Sequence, residues 1–252
     1  MIDQLSENLV WQVAHTDSFP QLDDQDLHLW WLPLAIDAKQ QRDAENWISD
    51  IQKDRHARRL SDELKHSYLA GRYYLLRLLG LYTQQSPDSV LLSYSRLNKP
   101  YLSHAEHTLE FNFTDTSFAG KSYGLFAFSK NRAVGVDIEA LERQTDFGKI
   151  ATQRFTPQEL ELVGQPVDPH RFLAVWTRKE AYGKATGKGI NFKMNQRNLV
   201  DGLSSRLGFV DEQQQPWQLR QFRLGDDFIS AVATAGHQNL SIKAFNSLNQ
   251  NP

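Results

Sequence analysis

The chain has 252 residues, of which 40% are hydrophobic and 23% charged, and its formal net charge is −2. This near-neutral charge argues against bulk nucleic-acid binding, and no apolar run reaches the roughly 18 to 20 residues of a membrane span. The absence of cysteine excludes disulfides, thiolate zinc sites and cysteine nucleophiles, so any metal must be held by oxygen or imidazole.

Charge is unevenly distributed over the first third of the chain. Residues 1–38 contain acids and no Lys or Arg, so the basic start of a secretory signal is missing and a cytoplasmic location is expected. Lys and Arg are frequent between Lys39 and Arg77. This basic run predicts either a local anionic ligand or simply the solvated face of a helix.

The first half is predicted to combine strands with a long helix. Apolar runs bounded by turn residues predict strands at Leu27 to Leu34, Val90 to Tyr94 and Leu109 to Phe113. A short helix is predicted from Asp43 to Ile51. Helical spacing of apolar residues from Arg55 to Tyr82 predicts one long amphipathic helix or two abutting helices.

The second half opens with two β-prone runs, Gly124 to Ser129 and Ala133 to Glu139, which are predicted to form a hairpin. Thr156 is predicted to cap a helix, because Pro157 follows it and Glu159 completes a capping box.

A further helix is predicted to begin at Asp168-Pro169 and to end near Gly187. The predicted strands of the tail are Arg206 to Val210, Trp217 to Leu224, Phe228 to Thr234 and Leu240 to Phe245. The whole chain is therefore predicted to be an α+β protein with two related lobes, residues 1–131 and 132–252.

Two acids on the predicted strand Ala133 to Glu139 form the first element with chemical potential. Strand geometry sends Asp137 and Glu139 to one face, about 7 Å apart, and Val136 and Ile138 to the other. Two carboxylates at this spacing can share one Mg²⁺, although alternating acids on a solvated strand are common.

The predicted helix after Asp168 carries the second element. Phe172, Trp176, Glu180 and Lys184 are spaced four residues apart and lie along one face. One interpretation is an ordinary surface Glu–Lys pair. The alternative is that the aromatic residues carry Glu180 and Lys184 into a partly buried groove, where a metal would explain the carboxylate.

Together these elements resemble the signature of the 4'-phosphopantetheinyl transferases: Gly-Val-Asp-Ile-Glu at residues 135–139, then Trp-x-x-Lys-Glu-x-x-x-Lys at residues 176–184. Further matches are to the larger, surfactin-synthetase-activating branch. They are Arg58-Arg59-Leu60, Asn98-Lys99-Pro100-Tyr101-Leu102, Phe111-Asn112-Phe113, Arg154-Phe155-Thr156 and Gly187-Lys188-Gly189-Ile190. The resemblance covers about residues 45 to 235.

The resemblance implies two similar α/β lobes with coenzyme A in the cleft between them, and transfer of its 4'-phosphopantetheine arm to a serine of an acyl or peptidyl carrier protein. It assigns the Mg²⁺ ligands to Asp137, Glu139 and Glu180. Glu180 would take the serine proton, directly or through a water, and Lys184 would stabilise the leaving 3',5'-ADP. The coenzyme A contacts implied are Lys53, Arg58, Lys99, Pro100, Thr114, Asp115, Lys179 and Lys184. Lys53 and the neighbouring Arg55, Arg58 and Arg59 are the candidates for the 3'-phosphate.

The chain departs from the family at Thr114-Asp115-Thr116, predicted as a turn, where most members carry histidine in the middle. An aspartate facing the 3'-phosphate of coenzyme A would repel it, so the phosphate is expected to be held by backbone amides and nearby basic residues, or bound differently or more weakly. An impaired relative that only binds coenzyme A or carrier protein, and a generic magnesium-dependent phosphotransferase, remain alternatives.

Partners are less well defined by the sequence. The basic residues Lys188, Lys193 and Arg197, with Phe192 between them, are either a contact for an acidic carrier-protein helix or a solvated loop. A monomer without nucleic-acid or membrane partners is expected by analogy.

Overall fold

The computed structural model describes residues 5–103, 108–189, 193–202, 204–238 and 240–249. The α-helices are α1 (Ala38–Trp47), α2 (Asp50–Ala57), α3 (Asp62–Thr83), α4 (Phe147–Arg154), α5 (Pro157–Val163) and α6 (Pro169–Ala185). The strands are β1 (Glu7–Asn8), β2 (Trp11–His15), β3 (Asp26–Pro33), β4 (Leu92–Tyr94), β5 (Pro100–Leu102), β6 (Leu109–Phe118), β7 (Lys121–Lys130), β8 (Val134–Ala140), β9 (Arg206–Val210), β10 (Pro216–Leu224), β11 (Phe228–Ala235) and β12 (Ser241–Asn249). Within the described ranges, no helix combines the length and apolar composition needed to cross a bilayer.

The strands form two five-stranded sheets and one small ribbon of β4 and β5. In the first sheet the order is β2-β12-β3-β7-β6, and in the second it is β1-β10-β11-β8, with β9 against β10. Strand β6 lies at the edge of the first sheet and β8 at the edge of the second. The predicted α+β class is confirmed.

Each end of the chain pairs with the sheet that is formed mainly by the other half of the sequence. Strand β1 runs parallel to β10, with Glu7 opposite Phe222, and β12 is inserted between β2 and β3 of the first sheet. Each sheet therefore contains a strand from the other half of the sequence. The predicted division at residue 131 falls between β7 and β8, and it stays a prediction.

The core is layered. Trp30 and Phe126 belong to the cluster that joins the first sheet to α3. Leu29 on the opposite face of that sheet packs with Val136 of the second sheet, so the two sheets lie face to face. Helix α6 covers the outer face of the second sheet, where Ala231 of β11 is fully buried.

Local signals placed several helices correctly. Thr156 and Glu159 form the predicted capping box of α5, and Asp168 caps α6 through the backbone N–H of Arg171. The segment from Arg55 to Tyr82 contains two helices rather than one. The predicted helix Asp43 to Ile51 is wrong in its limits, because Ser49 forms a capping box that begins α2 after α1 has ended.

Two predicted connections are wrong. Strands β7 and β8 do not form a hairpin, because β7 pairs with β3 and β6 while β8 pairs with β11. The hairpin is formed by β6 and β7, whose turn residues Ala119 and Gly120 both have positive φ, as a tight β-turn requires. Residues 114–116 consequently lie within strand β6 and not in a turn.

Candidate active site

The site forms where strand β8 passes under helix α6. Gly135 allows this approach, because a Cβ atom there would lie 2.2 Å from the Ala181 carbonyl oxygen and 2.2 Å from the Ala185 nitrogen. Such distances are far inside van der Waals contact, so a side chain at this position would push the helix away from the strand. The close contact lets Asp137 and Glu139 of β8 face α6.

Strand alternation at β8 matches the prediction. Val136 and Ile138 are buried between the two sheets, whereas Asp137 and Glu139 belong to the opposite face. Glu180 lies one helical turn before Lys184 on α6, and the Lys184 ammonium contacts Asp137 at 2.6 Å. The three acids predicted from the sequence therefore belong to the same region between β8 and α6, and after burial the Asp137 charge also raises the pKa of Glu139 and Glu180.

Burial is the largest influence on these acids. It raises the pKa of Asp137, which is only 5% exposed, and of Glu180. Burial and the neighbouring Asp137 raise the pKa of Glu139 to about 7. Each carboxylate is thus held in surroundings that disfavour its charge, and a bound cation would relieve that cost.

Two basic side chains already contact the acids. The Lys184 ammonium donates to Asp137 Oδ1 at 2.6 Å and to Thr114 Oγ1 at 2.8 Å. Arg143 pairs with Glu139, which also accepts a hydrogen bond from the side chain of Trp176. The predicted face with Trp176, Glu180 and Lys184 is therefore turned toward the acids of β8.

Two carboxylate oxygens remain without a partner. Asp137 Oδ2 and Glu180 Oε1 are buried and have no hydrogen bond within the described part of the chain. Buried oxygens of this kind are costly, and carboxylate oxygens are the donors that Mg²⁺ prefers. Among the described residues no group of three or more His, Cys, Asp or Glu side chains is already arranged to hold a metal. The donor chemistry fits a divalent ion, but Glu139 is engaged by Arg143 in this conformation.

A pocket of about 200 Å³ lies beside the acids. Its lining residues are Leu97, Asn98, Lys99, Pro100, Asn112, Phe113, Lys184, Gly187 and Gly189. Three residues predicted to contact coenzyme A, Lys99, Pro100 and Lys184, thus share one pocket. The Lys99 ammonium donates to the carbonyl oxygens of Val134 (3.2 Å) and Ala185 (2.9 Å), and burial lowers its pKa.

Three arginines lie next to this pocket, of which Arg55 and Arg59 are candidates for the 3'-phosphate from the sequence and only Arg72 is not. Arg72 lies over the rings of Tyr68 (4.9 Å) and Phe113 (5.6 Å). Arg59 lies over the Tyr68 ring at 5.1 Å, and Arg55 over the Tyr94 ring at 4.1 Å. We call Arg55, Arg59 and Arg72 the arginine cluster.

The arginine cluster contains buried polar atoms without partners. Arg72 Nε and the hydroxyls of Tyr68 and Tyr94 have no hydrogen bond among the described residues. The cluster touches the pocket through Phe113 and through Asn98, whose side chain accepts a hydrogen bond from Arg55 at 3.0 Å. Arg72 lies on the long helix α3, and the fold brings it beside Phe113, which is distant in sequence. The sequence alone does not show this contact.

Other predicted contacts lie outside the pocket walls. Lys53 is exposed and pairs with Asp50, and Arg58 is exposed at the end of α2. Asp115 is exposed on β6, because it points away from the buried side chain of Thr114. Ile190 and Phe192 lie outside the described residues.

The predicted contact of Lys179 with coenzyme A requires a correction. It is completely buried, and its ammonium donates to Glu159 Oε2 (2.7 Å), Met194 O (2.5 Å) and Arg197 O (2.9 Å). Three acceptors use all three protons of a lysine ammonium. Lys179 therefore has no proton left for a phosphate in this conformation, and it ties α6 to the segment 194–199.

Comparison with known proteins identifies relatives across most of the chain. Residues 133–233 match the family model described as the 4'-phosphopantetheinyl transferase superfamily. The chain is 31% identical to 4'-phosphopantetheinyl transferase HetI of Nostoc sp., over 84% of this chain and 88% of that protein. It is 27% identical to a phosphopantetheinyl transferase of Thraustochytrium sp., over 69% of this chain and 65% of that protein. The match to the L-aminoadipate-semialdehyde dehydrogenase-phosphopantetheinyl transferase of Xenopus laevis is 25% identical, over 66% and 61% respectively.

Proposed function

Since this chain belongs to the 4'-phosphopantetheinyl transferase superfamily, we propose that it transfers the 4'-phosphopantetheine arm of coenzyme A to a serine of an acyl or peptidyl carrier protein, releasing 3',5'-ADP. The observation that carries the proposal is the contact of Lys184 with Asp137 beside a pocket, with buried oxygens of Asp137 and Glu180 that have no partner among the residues the structure describes. A module that only bound carrier protein would not need this set of groups.

Mg²⁺ is the proposed metal, held by Asp137, Glu139 and Glu180. When bound, it would offset negative charge on the pyrophosphate of coenzyme A. Asp137 Oδ2 and Glu180 Oε1 are the oxygens that support this assignment, because they are buried and have no hydrogen-bond partner in the described ranges. Glu139 is the least prepared of the three, since Arg143 must release it first.

The proposed reaction forms one bond and breaks another at the same phosphorus. The serine Oγ attacks the β-phosphorus of coenzyme A, and the bond to the bridging oxygen breaks with its electron pair leaving on 3',5'-ADP. Glu180 accepts the serine proton, directly or through a water. Lys184 supplies positive charge beside the leaving oxygen, so positioning and electrostatics account for most of the catalysis.

The pocket beside Lys99 and Pro100 is the proposed site for the nucleotide of coenzyme A. Lys99 shapes this pocket by holding β8 to the end of α6 through Val134 and Ala185. Lys53 pairs with Asp50 and Arg58 lies at the end of α2, so they stay proposed contacts for the coenzyme A phosphates outside the pocket walls.

The arginine cluster is the proposed site for the 3'-phosphate of coenzyme A. The guanidinium groups of Arg59 and Arg72 lie over the Tyr68 ring and that of Arg55 over the Tyr94 ring. Within the described part of the chain, the Tyr68 and Tyr94 hydroxyls and Arg72 Nε have no hydrogen-bond partner. Arginine pairs with phosphate oxygens through several hydrogen bonds. This assignment explains how the chain can do without a histidine at position 115.

The finer properties of the enzyme are also proposals. We propose that it acts in the cytoplasm as a monomer and that Lys188 and Lys193, near the end of α6, meet the acidic surface of the carrier protein. Arg197 is less suited to that role, because it already pairs with Glu212.

Mass spectrometry of purified carrier proteins tests the proposal. A panel of fatty-acid, polyketide and peptide carrier proteins would be incubated with the enzyme, Mg²⁺ and either coenzyme A or acyl-coenzyme A. A gain of the phosphopantetheine mass on the serine of at least one carrier is expected. If no carrier gains that mass, the chain is a binding relative. Cleavage of coenzyme A without carrier labelling would instead indicate a different phosphotransferase.

A further inference from the structure

Thr114 connects the two sheets at the centre of the site. Its side chain belongs to β6 of the first sheet, is almost completely buried, and contacts β8 and α6 of the other half. Its Oγ1 accepts a hydrogen bond from the Lys184 ammonium at 2.8 Å and donates to Asp137 Oδ1 at 3.3 Å. Thr114, which the resemblance names as a coenzyme A contact, therefore contacts two groups of the proposed catalytic set.

The two hydrogen bonds that Asp137 accepts from Lys184 and Thr114 both end on the same carboxylate oxygen. Lys184 and Thr114 both donate to Oδ1, at 2.6 and 3.3 Å, whereas Oδ2 has no partner among the described residues. The carboxylate is thereby held in one rotation, with Oδ2 left for a ligand. The same hydroxyl gives the Lys184 ammonium a second fixed acceptor beside Asp137, which restricts its position at the end of a flexible side chain.

A second side chain of β6 supports this arrangement. Asn112 lies two residues before Thr114 and therefore on the same face of the strand. Its side-chain oxygen accepts a hydrogen bond from the Val136 backbone N–H at 2.9 Å, one residue before Asp137. Strand β8 is an edge strand, so in the described part of the chain this N–H faces the side on which its sheet has no further strand. The hydrogen bond to Asn112 satisfies it and fixes the position of β8 along β6.

We propose that Thr114 is a positioning residue of the transfer reaction, which orients Asp137 for the metal and Lys184 for the leaving group without touching the reacting atoms. The inference rests on the proposed function of Asp137 and Lys184. It assigns to the Thr114 hydroxyl a role that a packing residue of the same shape would not have.

The test compares Thr114→Val, which keeps the shape and removes the hydroxyl, with Thr114→Ser, which keeps the hydroxyl. Mn²⁺ affinity of the substrate-free protein would be measured by electron paramagnetic resonance, and kcat and KM for coenzyme A in the Mg²⁺-dependent transfer. Hydrogen bonds to charged groups are strong enough that we expect roughly a tenfold to hundredfold loss in Mn²⁺ affinity and in kcat for Thr114→Val. KM for coenzyme A should stay within about threefold, and Thr114→Ser should restore most of both losses.

Thr152→Val is the matched control, because the exposed Thr152 hydroxyl bonds only to Gly148 of its own helix. Thermal melting of each variant checks folding, and Thr114→Ala replaces Thr114→Val if the latter does not fold. Wild-type Mn²⁺ affinity and kcat in the hydroxyl-free variant would overturn the inference, as would a Thr114→Ser variant as impaired as Thr114→Val. A wild-type protein that labels no carrier would overturn the proposed function instead, and the Mn²⁺ measurements keep the two failures apart.

Discussion

Helix α6 has two polar faces that differ in whether their buried groups have partners in the protein. On one face, Lys179 donates all three of its protons to protein oxygens. The neighbouring Arg178 bonds to Gln221 and to two backbone carbonyls. On the other face, Glu180 keeps a buried oxygen that has no partner among the described residues.

This difference separates the structural from the functional polar residues of a single motif. Removing one partner of a fully paired buried charge destabilises the fold, whereas a buried carboxylate oxygen with no partner among the described residues, beside other acids and a pocket, is a candidate ligand atom. Lys179 and Glu180 are adjacent in sequence, yet they belong to opposite categories. The predictions below test whether substituting the fully paired residue lowers stability, and whether substituting the residue with a missing partner lowers activity.

The largest effect is expected for Glu180→Gln. The amide keeps the shape but can neither accept the serine proton nor contribute charge to a metal site, so kcat should fall by roughly 100-fold or more. Unfolding stability should be unchanged or higher, because burial already disfavours the carboxylate charge. Carrier labelling by mass spectrometry and thermal melting measure the two quantities. Glu161→Gln, at an exposed position of α5, is the control. Near-normal turnover at saturating Mg²⁺ would contradict the assigned role.

Lys179→Met should have the opposite profile. Removal of the ammonium leaves Glu159 charged and buried without its partner, and breaking such a pair costs about 3–5 kcal/mol of unfolding free energy. The folded fraction should retain a KM for coenzyme A within about threefold of wild type, a ratio equivalent to less than 1 kcal/mol.

Guanidinium unfolding and steady-state kinetics measure these effects, with Lys149→Met at an exposed position as the control. Unchanged stability combined with a raised KM would show that Lys179 contacts phosphate after all.

The arginine cluster gives a second test of this comparison. Its buried polar atoms also have no partners within the described residues, and so they indicate a ligand. Arg72→Gln should raise KM for coenzyme A roughly tenfold, as expected for loss of one charge-assisted hydrogen bond. It should have little effect with 3'-dephospho-coenzyme A, which lacks the phosphate. Arg42→Gln, at an exposed position of α1, controls for the loss of a surface charge. An equal rise in KM for both substrates would place the cluster elsewhere on the ligand.

Sequence patterns predicted the parts of this fold that depend on neighbouring residues. The capping box at Thr156, the first turn of α6 and the alternation that turns Asp137 and Glu139 to one face are local properties, and all were confirmed. The pairing of β7 with β6 rather than β8 depends on contacts between distant strands, and it was predicted wrongly. Resemblance indicated Asp137, Glu139 and Glu180, but neither the partners of Lys179 nor the position of Arg72 could be read from the chain.

The smallest effect is expected for substitution of Asp115. It directly tests how far the sequence alone can predict a contact with coenzyme A. From the sequence, residues 114–116 are predicted to form a turn, in which a histidine or aspartate would face the bound phosphate. The strand geometry of β6 instead buries Thr114 and exposes Asp115, so the two side chains lie on opposite faces. Asp115→His should therefore change KM for coenzyme A by less than about twofold, since an exposed charge contributes little at a distance. A clearly lower KM would show that Asp115 faces the phosphate in the bound state. It would also mean that β6 changes its pairing with β7 when coenzyme A binds.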